Sequence, residues 1–463
     1  MAERRLSPAD AAWLYSEWEK NNQTVSSLMW LDREIDPDLF TEIVQERIVD
    51  KYPTFHQRVR PSRNPLYLPH WEDDPEFDIA NHIEVIQLDG DKEELRALVS
   101  EQRGKLLDRE RPLWKMFVIQ GYRGNTTAIH SRIQHSIADG WALVRLTLSL
   151  CDQTETVHRP KTIDKPRRRK RDLVAPVVDI VRNPVEIVQE TLAVTLYPKR
   201  FIEFSADAVG TGFEATKNAV ELVLAPRPGK TILHGKVSGE KKVDWIEPIP
   251  LQPIKDIGDA LDATINDVLL AVLTNTLRKY LEEKDALTVD DLFTSMPVSL
   301  RRPDADLPRT LGNRFGIVPV LLPVGIEDPI EQVQEIKRRI DDIKHSQMPI
   351  VSFGLISALS LTTADVEKLI QNVTQDHSIG VTTNVPGPRH EIWMAGGKVL
   401  GSWGMGGLSG DMNLSFGIYT LNGELNFSVH SDTGITADPE RILDFFMESI
   451  EELEAEVGYA DVE

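Results

Sequence analysis

The chain has 463 residues, 41% hydrophobic and 27% charged, with 73 acidic against 52 basic side chains and a net charge of −21. That length exceeds what one ordinary core organises, so two domains are expected, and the acidity excludes nucleic acid as a main partner, because phosphate binding needs clustered positive charge. A single cysteine, Cys151, excludes an intrachain disulfide, and no apolar run reaches the roughly 18 residues that a spanning helix needs.

The start, Met1 to Asp10, is polar and charged, unlike a secretory leader. Ser7 before Pro8 reads as a helix N-cap, followed by Ala11, Trp13, Leu14 and Trp18. Val25 to Leu31 reads as a strand. Leu39, Ile43, Val44 and Ile48 make a helical stripe, and Leu95, Leu98, Val99 and Leu106 a second one. Met116 to Gln120 and Thr126 to Gln134 read as strands, the latter with Ile129, Ser131 and Ile133 on one face. Trp141 to Leu150 is a helix pattern with Leu143, Leu146 and Leu150 apolar.

The character changes after residue 157. Eight of the thirteen residues from Arg159 to Arg171 are Lys or Arg. They read as a solvated linker or as a segment drawn to an anionic membrane surface, where each basic residue contributes about 1 kcal/mol; a nuclear address is a third reading. Val177 to Leu196, broken by Pro184 and Pro198, reads as a helical connector that packs against the protein or lies on something apolar. The second half starts with an extended run, Lys242 to Ile249. Thr264 and Asp267 form a capping-box signature before Val268, Leu269, Val272, Leu273 and Leu277. Asn384 to Pro388 (Asn-Val-Pro-Gly-Pro) is a rigid turn. Leu414 to Val429 alternates around Asn422-Gly423, a hairpin signal, and Asp438-Pro439 opens a last helix. The resulting division is 1–157, 158–238 and 239–463.

Several chemistries lack support. There is no Gly-x-Ser-x-Gly elbow. Pro228 to Thr231 ends like a phosphate-binding loop, but Leu224 stands where its first glycine belongs. Gly210-x-Gly212-x-x-Ala215 has no clear strand before it. No His-Glu-x-x-His or paired Cys-x-x-Cys suggests a metal, and no cofactor is expected.

One run carries chemistry. His135 stands where a strand gives way to a helix, followed by Ser136, Ile137, Ala138, Asp139 and Gly140. An imidazole of ordinary pKa about 6.5 is mostly neutral at pH 7 and can accept a proton. Gly140 permits a tight or left-handed turn. Asp139 can order the loop by pairing with an arginine and need not touch the imidazole.

Gln134 to Gly140 resembles the His-His-x-x-x-Asp-Gly motif of the CoA-dependent acyltransferases, and more closely that of the bacterial wax ester synthase/diacylglycerol acyltransferase family. Further stretches are similar to that family's landmarks, in order: Leu6-Ser7-Pro8-x-Asp10-Ala11, Arg111 to Trp114, Asn266-Asp267-Val268, Pro297 to Arg301, Leu311-Gly312-Asn313 and Asn384 to Pro388. The resemblance implies an α+β fold of two chloramphenicol-acetyltransferase-like lobes, each a mixed sheet flanked by helices, with a tunnel between them. It implies acyl-CoA as a substrate and a fatty alcohol or diacylglycerol as acceptor, giving wax esters or triacylglycerol. It places His135 as general base in direct transfer without an acyl-enzyme, with Asp139 as its motif partner and Gln134 and Gly140 in support. It also implies cytoplasmic residence with peripheral attachment to membranes or lipid droplets. The alternatives are the same fold acting on a small or carrier-bound acceptor, and a non-catalytic lipid- or CoA-binding homologue.

Two departures stand out. The first motif histidine is Gln134, which cannot be a base but can donate and accept hydrogen bonds; it either supports the loop or alters proton handling. Trp141 follows Asp-Gly where small residues are usual, and either packs in the core or narrows the acceptor side. Asn266 is either a polar residue in a helix's first turn or a donor supporting the oxyanion or the histidine loop.

Overall fold

The computed structural model describes residues 4–62, 67–158, 228–302, 305–359 and 377–460. The basic run, the Val177–Leu196 stretch and the glycine loop at 210–215 lie outside the described residues.

Two seven-stranded mixed sheets form the centres of two lobes. The first runs, in spatial order, Ile83–Gly90, Trp114–Tyr122, Thr126–Gln134, Thr24–Leu31, Gly397–Met405, Trp393–Met394 and Cys151–Asp152. The second runs Ile249–Pro250, Glu424–Asp432, Leu414–Leu421, Ser378–Pro386, Leu292–Ser299 and Phe315–Leu322, with Lys241–Trp245 also paired to Glu424–Asp432. A small third sheet joins Arg4–Arg5, His70–Asp73 and Gln57–Arg60. The strand Gly397–Met405 pairs antiparallel with Thr24–Leu31, from Met405 opposite Ser26 to Val399 opposite Leu31. The second half of the chain thus lends strands to the first lobe, a crossover that a division into 1–157 and 239–463 does not anticipate.

Local signals account for most boundaries. Ser7 caps Pro8–Tyr15 by accepting from Asp10 N. Thr264 and Asp267 close the capping box of Ile265–Glu283, an arrangement whose loss costs about 1 kcal/mol per cap. Asn422 and Gly423 take φ of 51° and 81°, the left-handed pair that a two-residue hairpin turn requires, and join Leu414–Leu421 to Glu424–Asp432. The last helix spans Pro439–Ala460. One stripe runs on through a change of helical pitch, with Ile48 buried beside Phe40, Ile43 and Val44, and the other ends sooner than its apolar spacing suggests. The helix Pro37–Val44 passes into a wider π-type turn at Gln45–Val49. Lys92–Gly104 stops before Leu106, which is exposed.

Three apolar clusters hold the lobes. One fills the second lobe around Ile265–Glu283, and another fills the first around Phe40, Trp114 and Ile133. The third joins them through Trp30, Trp245 and Trp403, whose ring centroids lie 6.3 and 5.7 Å apart in succession. Thr126–Gln134 is covered on both faces: Ala128 meets the third cluster, while Ile129 and Ile133 meet the second. Leu113 and Trp114 are buried core residues, and the Trp114 indole donates to Phe55 O. Pro228 to Thr231 begins no helix and leads into a turn.

Candidate active site

The strand Thr126–Gln134 delivers His135 to the space between the sheets. His135 N donates to Gln23 O at 2.8 Å, and Gln134 N donates to Leu113 O at 3.0 Å. The Gln134 amide is fully buried and works at both ends: its Nε2 donates to Trp13 O, and its Oε1 accepts from Ser136 N at 2.6 Å. Both bonds tie the turn of the loop to the first helix and to itself.

The imidazole is 8% exposed. It forms a triangular aromatic cluster with the Trp13 and Phe315 rings, at centroid distances of 4.7 and 5.2 Å, with those two rings 5.4 Å from each other. Its Nδ1 is 2.9 Å from Asn313 Oδ1. Asn313 Nδ2 donates to Asp10 Oδ1 and to His135 O, both at 2.8 Å. Burial pushes the His135 pKa down; its nearby backbone, Asp139 and Asn313 oppose that push but do not overcome it. The ring is thus neutral near pH 7 and able to accept a proton.

Asp139 is buried and caps the helix Gly140–Ser149: its Oδ1 accepts from Ala142 N at 2.8 Å. Its Oδ2 accepts from Arg314 N at 2.8 Å and Arg301 Nε at 3.0 Å. Both oxygens are thereby engaged by the helix and the second lobe, and the carboxylate orders the loop through an arginine. Gly140 departs from expectation. It takes no left-handed conformation, it is the first residue of the helix, and a Cβ there would meet nothing within 4 Å. Its space belongs to the cavity.

That cavity, about 620 Å³, is lined mainly by apolar side chains from both lobes. Met29 and Ile133 come from the first sheet, Ile317 and Val381 from the second, and His135 lines it as well. Such a volume and lining suit a largely apolar ligand. Trp141 also lines the cavity, half-buried, with Arg145 and Arg301 4.8 and 5.6 Å from its ring. It packs at the margin of the first-lobe core and faces the cavity rather than lying inside that core. Asn266 Oδ1 accepts from Asn384 Nδ2 at 3.0 Å, and Asn384 lines the cavity. Asn266 thus steadies a wall residue, and its side-chain bond does not go to the histidine loop. Asn384 to Pro386 form the end of a strand and not only a turn. Among the described residues, no group of three or more His, Cys, Asp or Glu could hold a metal ion, and no helix is long and apolar enough to cross a membrane.

Asp10, Arg301 and Asn313 belong to the family-like stretches and carry no local signal of a site role. They converge on the loop from separate parts of the chain. Gly312 makes this possible. Its N donates to Ile137 O at 3.1 Å, its φ is +79°, and a Cβ there would press on the Asp10 carboxylate at 3.3 Å. A landmark with no periodic pattern around it was the only available signal.

A neutral buried imidazole on the wall of an apolar cavity between two mixed sheets is chemically able to accept a proton from a group bound there. The chain belongs to the wax ester synthase/diacylglycerol acyltransferase family: residues 6–269 match its catalytic domain and residues 311–454 its C-terminal domain. It is an acyltransferase. It is 27% identical over 392 residues to tgs1 of Mycobacterium tuberculosis H37Rv, described as a probable diacylglycerol O-acyltransferase, covering 83% of this chain and 81% of that one. It is 28% identical over 405 residues to the O-acyltransferase WSD of Acinetobacter baylyi, covering 86% and 85%. The fold is shared with the wax ester synthase/diacylglycerol acyltransferase of Marinobacter aquaeolei VT8, with a TM-score of 0.69, 20% identity and coverage of 98% and 100%. It is shared too with the first condensation domain of the calcium-dependent antibiotic synthetase, with a TM-score of 0.62, 13% identity and coverage of 98% and 96%.

Proposed function

We propose that this protein transfers an acyl group from acyl-CoA to the hydroxyl of a fatty alcohol or diacylglycerol, with His135 as the general base. The observation that carries the reading is the His135 ring, held at Nδ1 by Asn313 and facing an apolar cavity built by both lobes. Nε2 takes the hydroxyl proton as the oxygen attacks the thioester carbonyl. The C–S bond then breaks as Nε2 gives that proton to the departing sulfur, which releases the ester and the CoA thiol and restores the neutral imidazole. No protein nucleophile is required. Asp139 positions the loop through its cap and its pair with Arg301. Gln134 fixes the turn, and Gly140 leaves room beside the reacting atoms. Asn266 steadies the wall through Asn384.

The test is thiol release from a panel of acyl-CoAs with hexadecanol, dipalmitoylglycerol and short alcohols, with the product identified by mass. His135→Ala is expected to lower turnover by roughly 10²–10⁴-fold while the fold persists. Near-parental turnover in that variant overturns the assignment. Peripheral attachment to a membrane or lipid droplet in the cytoplasm completes the proposal. Its support is the apolar substrate cavity and the basic composition of Arg159 to Arg171. Sedimentation with anionic vesicles that is unchanged after neutralising Arg167 to Arg171 removes that segment from the role.

A further inference from the structure

We propose that Asn313 is the positioning residue that sets the tautomer of His135, and that Asp10 acts through it by fixing which end of the Asn313 amide faces the ring. This rests on His135 being the base of the transfer described above.

A carboxylate only accepts hydrogen bonds. Asp10 Oδ1 receives both the Asn313 backbone N and its Nδ2, each at 2.8 Å, and Asp10 Oδ2 receives the Ser7 hydroxyl at 2.6 Å. The same Nδ2 also donates to His135 O at 2.8 Å. Two acceptors on one side fix that end of the amide as NH2, so the other end, 2.9 Å from Nδ1, is the carbonyl oxygen. An acceptor there requires the proton on Nδ1, which leaves the lone pair on Nε2. With the amide reversed, its NH2 would favour the opposite tautomer and remove the base from Nε2. The three residues come from the first helix, the first-lobe motif and the second lobe, so the tautomer is a product of lobe assembly.

The orienting group is neutral, which has a chemical consequence. A carboxylate at Nδ1 would stabilise the imidazolium and raise its pKa. Here the charged groups around the ring are Asp139 on its own loop, tied to Arg301 and the Arg314 backbone, and Asp10 beyond the amide. The Trp13 and Phe315 rings packed beside it carry no charge. The imidazolium is therefore only lightly stabilised and passes its proton on readily to the departing sulfur.

Two measurements test this. The first needs no substrate: nitrogen-15 NMR of histidine-labelled protein, with the His135 signals assigned by their loss in His135→Gln. The parent is expected to show a protonated Nδ1 and a bare Nε2, and Asn313→Ala a mixed tautomer. The opposite tautomer in the parent, or an unchanged one in Asn313→Ala, overturns the proposal whatever the substrate proves to be. The second is the pH profile. Asn313→Ala is expected to lower kcat by roughly 10²–10⁴-fold with KM little changed. In the exchange variant Asp10→Asn/Asn313→Asp the carboxylate sits directly at Nδ1, and the acid limb of kcat/KM is expected to rise by about one pH unit or more. A purely structural role would lower Tm and leave that limb in place, and a limb superimposed on the parent's overturns the proposal. If the exchange variant fails to fold, Asp10→Ala serves: it is expected to mix the His135 tautomers, and an unmixed spectrum counts against the relay.

Discussion

Replacing Asp139 with alanine removes three interactions at once: the cap to Ala142 N, the bond from Arg314 N and the pair with Arg301. The paired side chains are nearly inaccessible, 2% for Asp139 and 7% for Arg301, so solvent screens little of the effect. Loss of the cap costs about 1 kcal/mol. Breaking a buried pair from one side costs about 3–5 kcal/mol, because the remaining charge is left unpaired. Arg301 keeps Gly312 O at 2.7 Å, which places the pair at the lower end of that range. The expected loss is about 4 kcal/mol in all. Asp139→Asn, which retains an acceptor for the cap, is expected to lose about 3 kcal/mol. In Asp139→Ala/Arg301→Met no charge is stranded, so the double variant is expected to lose less than the two single losses summed. Urea unfolding followed by tryptophan fluorescence, with m held constant, measures these values. A loss under about 1 kcal/mol for Asp139→Ala, or strict additivity in the double variant, refutes the reasoning.

Trp141→Ala opens the cavity where the indole is flanked by Arg145 and Arg301. It is expected to shift preference toward bulkier acceptors in a competition between dodecanol, hexadecanol and dipalmitoylglycerol, and unchanged product ratios would contradict a cavity-shaping role. Gly140→Ala meets no protein atom and is expected to hold or raise stability by about 0.4–1 kcal/mol while raising KM for the acceptor; a clear fall in Tm would show that the space is not free. Burial lowers the pKa of His130 to about 3, with Arg132 adding to the effect, and lowers that of His430 as well, with Arg103 and Lys241 adding. Both imidazoles stay neutral in the folded chain while the unfolded chain protonates them below about pH 6.5. Stability is therefore expected to fall as pH drops from 6.5 toward 4, by up to about 1.4 kcal/mol per pH unit for each. His130→Gln should flatten that slope in urea titrations run at several pH values, and an unchanged slope would refute the linkage.

The parts of the fold legible in the sequence are those whose cause is local. Ser7, Thr264 with Asp267, and Asn422-Gly423 each act on backbone groups within three residues, so caps and turn could be read directly. Alternation placed Thr126–Gln134 and the face carrying Ile133, because a strand's period of two fixes which side chains share a side. The same reasoning overextended the Leu95 stripe to Leu106, since apolar spacing continues past the point where the backbone leaves the helix. It also could not tell whether Trp141 faced the core or the cavity: helical periodicity gives a direction but not what stands opposite.

By itself, then, the sequence determined the elements, the histidine loop and the family. The chemistry of that histidine was decided only when the chain closed. Asn313 meets His135 and Asp10, and Arg301 meets Asp139, across separations of 162 to 303 residues, and side-chain pairing between distant segments leaves no period in the chain. Likewise Gly397–Met405 reads as one more strand of the second half, yet it hydrogen-bonds beside Thr24–Leu31 in the first lobe. Backbone pairing between strands is satisfied equally well by many partners, so the packing of both sheets around a shared apolar cavity selects the neighbour.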